Sequence, residues 1–241
     1  MRLLDFSFQR PAENLALEEV LLEEVEQGRQ PDTLRLWESP TPFVVLGTGQ
    51  RLAQEVHEDH CEADGIPIMR RCTAGGCVLQ GPGSLNYALF LSYERHPDVA
   101  TLHGSYRHLI GGVCQALATL GIEATHEGIS DIALNGRKVS GNAQRRRRRA
   151  LLHHGTLLYR ADMSTMARYL QEPEDRPDYR ATRNHADFLT VLNTSAAALR
   201  RAIIQQFAPG SPASEVTPEE KVAAVELAER KYDSREWTHR R

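Results

Sequence analysis

Ile132-Ala133-Leu134-Asn135-Gly136-Arg137-Lys138-Val139-Ser140-Gly141-Asn142-Ala143-Gln144 decides how this chain reads. Two short strand-like runs, 132–134 and 139–144, flank Asn135-Gly136. That dipeptide favours a tight hairpin because both residues tolerate positive φ. Of the 29 basic residues only Lys138, Lys221 and Lys231 are lysines, and only Lys138 precedes the C-terminal helix. Lysine is a compact point charge on a flexible stem, whereas the arginine fork is too wide for a tight site between two glycines. Lys138 is therefore the candidate catalytic cation. The competing reading is an exposed lysine after a turn.

Upstream lies Arg70-Arg71-Cys72-Thr73-Ala74-Gly75-Gly76-Cys77-Val78-Leu79-Gln80-Gly81-Pro82-Gly83-Ser84-Leu85-Asn86. Glycines let successive amides point into one concavity that holds anionic oxygens, and arginine forks match phosphate. The segment predicts a nucleotide or phosphate cradle. It lacks the Gly-Lys-Ser/Thr of a Walker loop and the Gly-x-Gly-x-x-Gly fingerprint. Its bland reading is a turn and bulge without a ligand. Lys138 reads as the other half of such a site, neutralising charge in the transition state. Asp131 reads either as a Mg²⁺ ligand or as a surface acid. His153 and His154 alternate across a strand, so they make poor joint metal ligands. No metal site is expected from the pair; one ring faces the pocket and the other is structural or exposed.

The rest of the chain mixes strands and helices. Helices are expected at 14–27, 52–64, 102–120, 163–170 and 196–207, and after Thr217-Pro218, where a cap and proline open a last helix to about 232. Segments 33–37, 43–47, 66–71, 87–92 and 151–159 read as strands, and 173–183 as a loop. Without regular βα alternation the class is α+β. At 241 residues, 41% hydrophobic and 25% charged, the composition is that of a soluble globular protein. No apolar run nears the ~20 residues needed to span a bilayer, and the N-terminus lacks a secretory h-region. A net charge of −3 gives no general pull toward nucleic acid or anionic lipid. Cys61, Cys72, Cys77 and Cys114 include no Cys-x-x-Cys pair and read as reduced thiols of a cytoplasmic protein. Arg145 to Arg149 reads as an exposed hairpin tip.

Taken together, these motifs resemble the lipoate–protein ligase family of the biotin/lipoate protein ligase superfamily. Asn14-Leu15-Ala16-Leu17-Glu18-Glu19 resembles its opening helix, and Val44-Val45-Leu46-Gly47-Thr48-Gly49-Gln50 its early strand and turn. Arg70 to Leu79 resembles the Arg-Arg-x-Ser-Gly-Gly-Gly-Ala-Val-Tyr loop, continued by Leu85-Asn86-Tyr87. Gly136 to Gln144 resembles the lysine motif, and His153-His154-Gly155-Thr156 the strand after it. Lys231-Tyr232 with Glu236-Trp237 resembles the end of the catalytic domain. The resemblance implies a mixed β-sheet with packed helices, a class II aminoacyl-tRNA synthetase/biotin ligase-like catalytic domain. Residues 1–241 would form one such domain, with no separate accessory C-terminal domain, and act as a monomer.

The implied reaction joins lipoate to ATP, with Mg²⁺, as lipoyl-AMP. The acyl group then passes to a lysine of lipoyl carrier domains, namely the glycine cleavage H protein and the E2 subunits of 2-oxoacid dehydrogenases. Matched by position, Lys138 is catalytic. Arg71, Gly75, Gly76, Cys77, Val78, Leu79, Asn86, Lys138, Ser140, Gly141 and His154 hold the nucleotide and acyl group. Residues near Val78 and Leu79 would line the acyl tunnel.

Ala74 replaces the first glycine of the triplet, and Gln80-Gly81-Pro82-Gly83 stands where the ligases have a His-Asp pair. That turn is reminiscent of the octanoyl transferase branch. The alternative is therefore an ATP-independent transfer of octanoyl or lipoyl groups between carrier proteins through a cysteine thioester. Cys72 and Cys77 are its available thiols, since no cysteine lies in 138–159. Cys77 occupies the family's alanine position and is expected to pack. A nucleic-acid role for the arginine run has no interleaved aromatic residues behind it; docking of acidic carriers is its third reading. A biotin ligase is disfavoured because no Gly-Arg-Gly-Arg-x-Gly-Arg loop is present.

Overall fold

The computed structural model describes residues 1–174 and 176–240. β1 (Arg2–Asp5) leads through α1 (Pro11–Glu26) to β2 (Thr33–Trp37) and β3 (Phe43–Leu46). Helices α2 (Leu52–Glu55) and α3 (Glu58–Ala63) precede β4 (Ile68–Arg70), β5 (Val78–Gln80) and β6 (Ser84–Ser92). After α4 (Leu102–Ala118) come β7 (Thr125–Glu127), β8 (Asp131–Leu134), β9 (Arg137–Arg146) and β10 (Ala150–Leu158). The chain closes with α5 (Met163–Tyr169), α6 (His185–Phe188), α7 (Ala196–Phe207), β11 (Ala213–Ser214), α8 (Pro218–Leu227) and α9 (Arg235–Thr238).

The strands form a mixed eight-stranded sheet, ordered β11-β1-β2-β6-β10-β9-β8-β7, and a small sheet, β4-β3-β5. The class is α+β, as expected. β6 is buried along its whole length because helices cover both faces of the large sheet. Leu85, Tyr87, Leu89 and Leu91 pack with the apolar residues of α4 and α7, whereas Ala88 and Phe90 pack toward α1 and α8. Thr217 caps α8 in a reciprocal box with Glu220, which satisfies two backbone donors that the first turn leaves free. Among the described residues no helix is long and apolar enough to cross a membrane.

The segment 52–64 departs from the single helix expected. Val56 is extended (φ −132°, ψ 139°) and splits it into α2 and α3. Its backbone forms a bridge with Leu170 and its side chain is buried, so tertiary pairing outweighs helix continuation. The arginine run also divides. Arg145 ion-pairs with Glu19 at 3.2 Å. Arg146 donates to the Ala100 carbonyl at 2.6 Å and lies over the Tyr93 ring. Only Arg147, Arg148 and Arg149 are exposed at the tip. Eight residues of β9 separate Arg147 from Lys138, which sets the two about 30 Å apart along the strand.

Candidate active site

Asn135 (φ 52°) and Gly136 (φ 70°) make the β8–β9 hairpin turn. Beyond it the register shifts: Ile132 faces Ser140, but Ala133 faces Lys138, leaving Val139 as an extra residue. This bulge resets the alternation. Gly141 and Ala143 face Thr156 and His154 across the β9–β10 pair, and the bulge adds Lys138 to that face. Without the extra residue Lys138 would share the opposite, α4-facing side with Ser140.

Lys138 Nζ lies 2.8 Å from Asp131 Oδ1, and the lysine side chain is 24% exposed. The Tyr179 hydroxyl, from the 173–183 segment, donates to Asp131 Oδ2 at 2.9 Å. Burial first, and then the Asp131 charge, raise the Tyr179 phenol and keep it protonated as the donor. Lys138 stands where two spaces meet. A cavity of about 120 Å³ is lined by the apolar Leu15, Trp37, Val45 and Val78 and the polar Glu18, Asn86, His154 and Thr156. A wider cleft of about 860 Å³ is bounded by Leu79, Met166, Tyr179, Arg180 and Phe188. Gly76, Cys77, Val78, Asp131, Lys138, Gly141 and Thr156 border both.

The polar end of the small cavity is a chain of buried hydrogen bonds. His154 Nδ1 donates to Glu18 Oε2 at 2.7 Å, and its Nε2 meets Thr73 Oγ1 at 2.9 Å. Trp37 Nε1 donates to the other Glu18 oxygen at 2.9 Å. Burial alone would raise the Glu18 carboxyl; His154, Arg35 and the indole outweigh it and hold it below its ordinary value. Alongside, Gln80 Nε2 donates to Thr156 Oγ1 at 2.6 Å, and that hydroxyl to Asn86 Oδ1 at 2.7 Å.

Residues 10–208 match the model of the lipoyl protein ligase A/B catalytic domain. This chain belongs to that family. Octanoyltransferase LipM of Anoxybacillus flavithermus is 27% identical over 274 residues, covering 100% of this chain and 98% of LipM. Lipoate-protein ligase LplJ of Bacillus subtilis is 31% identical over 166 residues, 69% of this chain and 48% of LplJ. A solved lipoate-protein ligase A bound with ATP superposes with a TM-score of 0.83 at 26% identity, covering 99% of this chain and 98% of the ligase. The chain is thus an enzyme of the lipoate ligase and octanoyltransferase family, with the lipoate-ligase fold.

Of the residues expected to form the site, Lys138, Arg71, Gly75, Gly76, Cys77, Val78, Asn86, Gly141 and His154 border the small cavity, and Leu79 borders the cleft. Ser140 does not. It is fully buried on the other face of β9, because residues adjacent in a strand point to opposite sides. The two arginines direct their donors into the protein. Arg70 donates to the carbonyls of Gly47 (2.8 Å), Gln50 (2.7 Å) and Thr238 (2.7 Å). Arg71 donates to the loop carbonyls of Ala74 (2.7 Å) and Gly76 (2.9 Å). Arg71 closes the glycine loop on itself, whereas Arg70 ties the Gly47–Gln50 turn to Thr238, and the acceptors of these bonds are backbone carbonyls.

Asp131 is no surface acid; it is buried as the counter-ion of Lys138. Glu18, read from sequence only as part of the motif that opens the first helix, is buried as well. Its spacing from Leu15 and Leu22 places it on the apolar face, and that was the available signal. Tyr179 sits in a polar loop with no periodicity, so no sequence signal singles it out. His153 is fully buried on the α4 side, and burial pulls it down to about 3. All four thiols are raised. Cys61 is pushed up to about 11 by burial and neighbouring acids, and burial raises Cys72, Cys77 and Cys114.

Proposed function

We propose that this protein attaches lipoate, or a related medium-chain acyl group, to a lysine of lipoyl carrier domains through an acyl-adenylate. The observation that carries this reading is the position of Lys138 on the shared wall of a small cavity and a nucleotide-sized cleft. The acyl chain occupies the small cavity with its carboxylate toward Lys138, and ATP occupies the cleft. A carboxylate oxygen attacks the α-phosphorus and pyrophosphate leaves. The ε-amine of the carrier lysine then attacks the acyl carbon, loses a proton, and displaces AMP. Neither step needs a protein nucleophile, so positioning and charge neutralisation supply the catalysis. Lys138 leaves Asp131 to meet the carboxylate and phosphate, and Tyr179 keeps Asp131 hydrogen-bonded meanwhile. A Mg²⁺ ion accompanying the triphosphate would find oxygen donors in Asp131 and Glu127, which line the cleft.

A second reading is the ATP-independent transferase. It is favoured by the LipM relative that matches over its whole length and by the Gly81-Pro82-Gly83 turn. Against it stand the thiols: Cys77 borders both spaces, but burial raises it and outweighs the lowering by the Arg71 charge, as burial outweighs Arg145 at Cys72. The deciding experiment supplies apo lipoyl domain with free lipoate and ATP, or with octanoyl acyl carrier protein alone, and reads carrier mass and AMP. Modification from the free acid that requires ATP and survives Cys77→Ser and Cys72→Ser supports the ligase. Transfer from the thioester alone, abolished by either substitution, overturns it. The physiological carriers are inferred to be the H protein and E2 lipoyl domains.

A further inference from the structure

Three ligand-bearing side chains converge on one point away from the acyl-transfer site. His57 immediately precedes α3, and Asp59 lies in its first turn, followed by His60. One ring nitrogen of each histidine and one oxygen of Asp59 all lie within 4.8 Å of one another. His60 Nε2 and Asp59 Oδ2 are 3.9 Å apart, too far for a hydrogen bond. Four ligands about 2.1 Å from a central zinc ion stand roughly 3.4 Å from each other. The gap is therefore close to the one an ion would fill, and small side-chain rotations close the remainder.

The frame behind these groups is that of a ligand site. His60 Nδ1 lies 2.8 Å from the Arg168 carbonyl oxygen. A carbonyl only accepts, so Nδ1 carries the hydrogen and Nε2 keeps its lone pair, on the side facing Asp59. A back-side hydrogen bond of this kind orients metal-binding imidazoles. The next carbonyl, that of Tyr169, accepts from the His57 backbone N–H at 2.9 Å. Asp64, at the end of α3, fixes the same turn by accepting from Arg168 Nε at 2.5 Å and the Tyr169 hydroxyl at 3.0 Å. Both histidines are half-buried and Asp59 is exposed, so an ion has access from solvent.

We propose that His57, Asp59 and His60 bind one divalent transition-metal ion of the zinc class. Two imidazoles and a carboxylate suit Zn²⁺ or Co²⁺ over Mg²⁺ or Ca²⁺, which favour all-oxygen shells. Three protein ligands leave a position for water. All three ligands belong to α3 and the residue before it, and the Arg168 carbonyl of α5 orients one of them through His60 Nδ1. The site does not depend on the acyl-adenylate reading.

The test uses tag-free full-length protein stripped of metal and titrated with Co²⁺ and Zn²⁺. Calorimetry, Co²⁺ visible absorption and thermal unfolding are the readouts. The expected result is one ion per chain and a Tm rise of about 5 °C at a hundredfold excess over Kd. His60→Ala and Asp59→Asn each weaken binding at least about tenfold. His103→Ala, which removes an exposed histidine of α4, leaves it unchanged. Absence of stoichiometric binding to the parent protein overturns the proposal. So does equal affinity in the parent and in His60→Ala.

Discussion

Lys138→Arg separates charge from shape at the centre of the site. A methyl added to Gly141 would lie 3.0 Å from Nζ and 3.1 Å from Cε of Lys138. The tip of the lysine is therefore walled by the Gly141 backbone on one side and held at 2.8 Å by Asp131 on another. A planar guanidinium reaches further and is wider than an ammonium. It has to turn out into the large cleft, keeping its charge but moving it off the junction of the two spaces. Transition-state stabilisation by a positioned donor is worth about 2.7–4 kcal/mol, roughly 10²–10³ in rate. Lys138→Arg is thus expected to lower kcat/KM by about 10², and Lys138→Ala by about 10³. For Lys138→Arg, which keeps the charge near Asp131, stability should move by about 1 kcal/mol or less, because the lysine side chain is 24% exposed and partly screened by solvent. AMP release and carrier mass, measured with apo lipoyl domain, lipoate and ATP, give the rates; urea unfolding gives the stability. If Lys138→Arg retains more than about a tenth of the activity, placement of the charge is not what the junction supplies.

Four further outcomes follow from the same contacts. Glu18→Gln strands the buried Arg35 and His154 without their anion and should cost about 3–5 kcal/mol in urea unfolding; a loss under about 1 kcal/mol would show that the pair is not coupled. Gly155→Ala puts a methyl onto the Asn142 amide oxygen and 2.7 Å from the Tyr87 hydroxyl, breaking the buried Tyr87–Asn142 hydrogen bond. A loss of about 2–4 kcal/mol is expected, and an unchanged urea midpoint contradicts the close approach. Tyr179→Phe removes the hydrogen bond from Tyr179 to Asp131 and should raise KM for ATP about fivefold, roughly one hydrogen bond, with little change in kcat; an unchanged KM would show that this bond does not shape the cleft. His153 titrates near 6.5 when unfolded and is held at about 3 in the fold by burial. Its folded value is depressed, so its stabilising contribution is full above pH 6.5 and declines as the pH falls toward 3, by up to about 1.4 kcal/mol per pH unit. Unfolding midpoints should therefore fall more steeply between pH 6.5 and 5 than those of His153→Leu, and parallel profiles would sink the assignment.

What the sequence determined by itself was local. Asn135-Gly136 can take positive φ, so the hairpin that carries Lys138 was legible before any coordinates. The Thr217-Pro218-Glu219-Glu220 start of α8 was legible for the same reason, since capping involves residues three apart. Opposite faces for His153 and His154 follow from strand alternation alone. The order of motifs along the chain was enough to indicate the family.

Tertiary structure decided which of these residues meet. One extra residue at Val139 turns Lys138 onto the face of Asp131, Gly141 and His154 and leaves Ser140 on the other; nothing in the local sequence marks that residue as the bulge. Glu18 is a charge on an apolar face, and its burial depends on Trp37 and His154 arriving from distant strands. Arg71 carries the charge of a phosphate ligand, yet its donors close on the loop's own carbonyls. Local propensity sets a residue's conformation, but partners, exposure and protonation depend on groups scores of residues away, and only the folded chain brings those into contact.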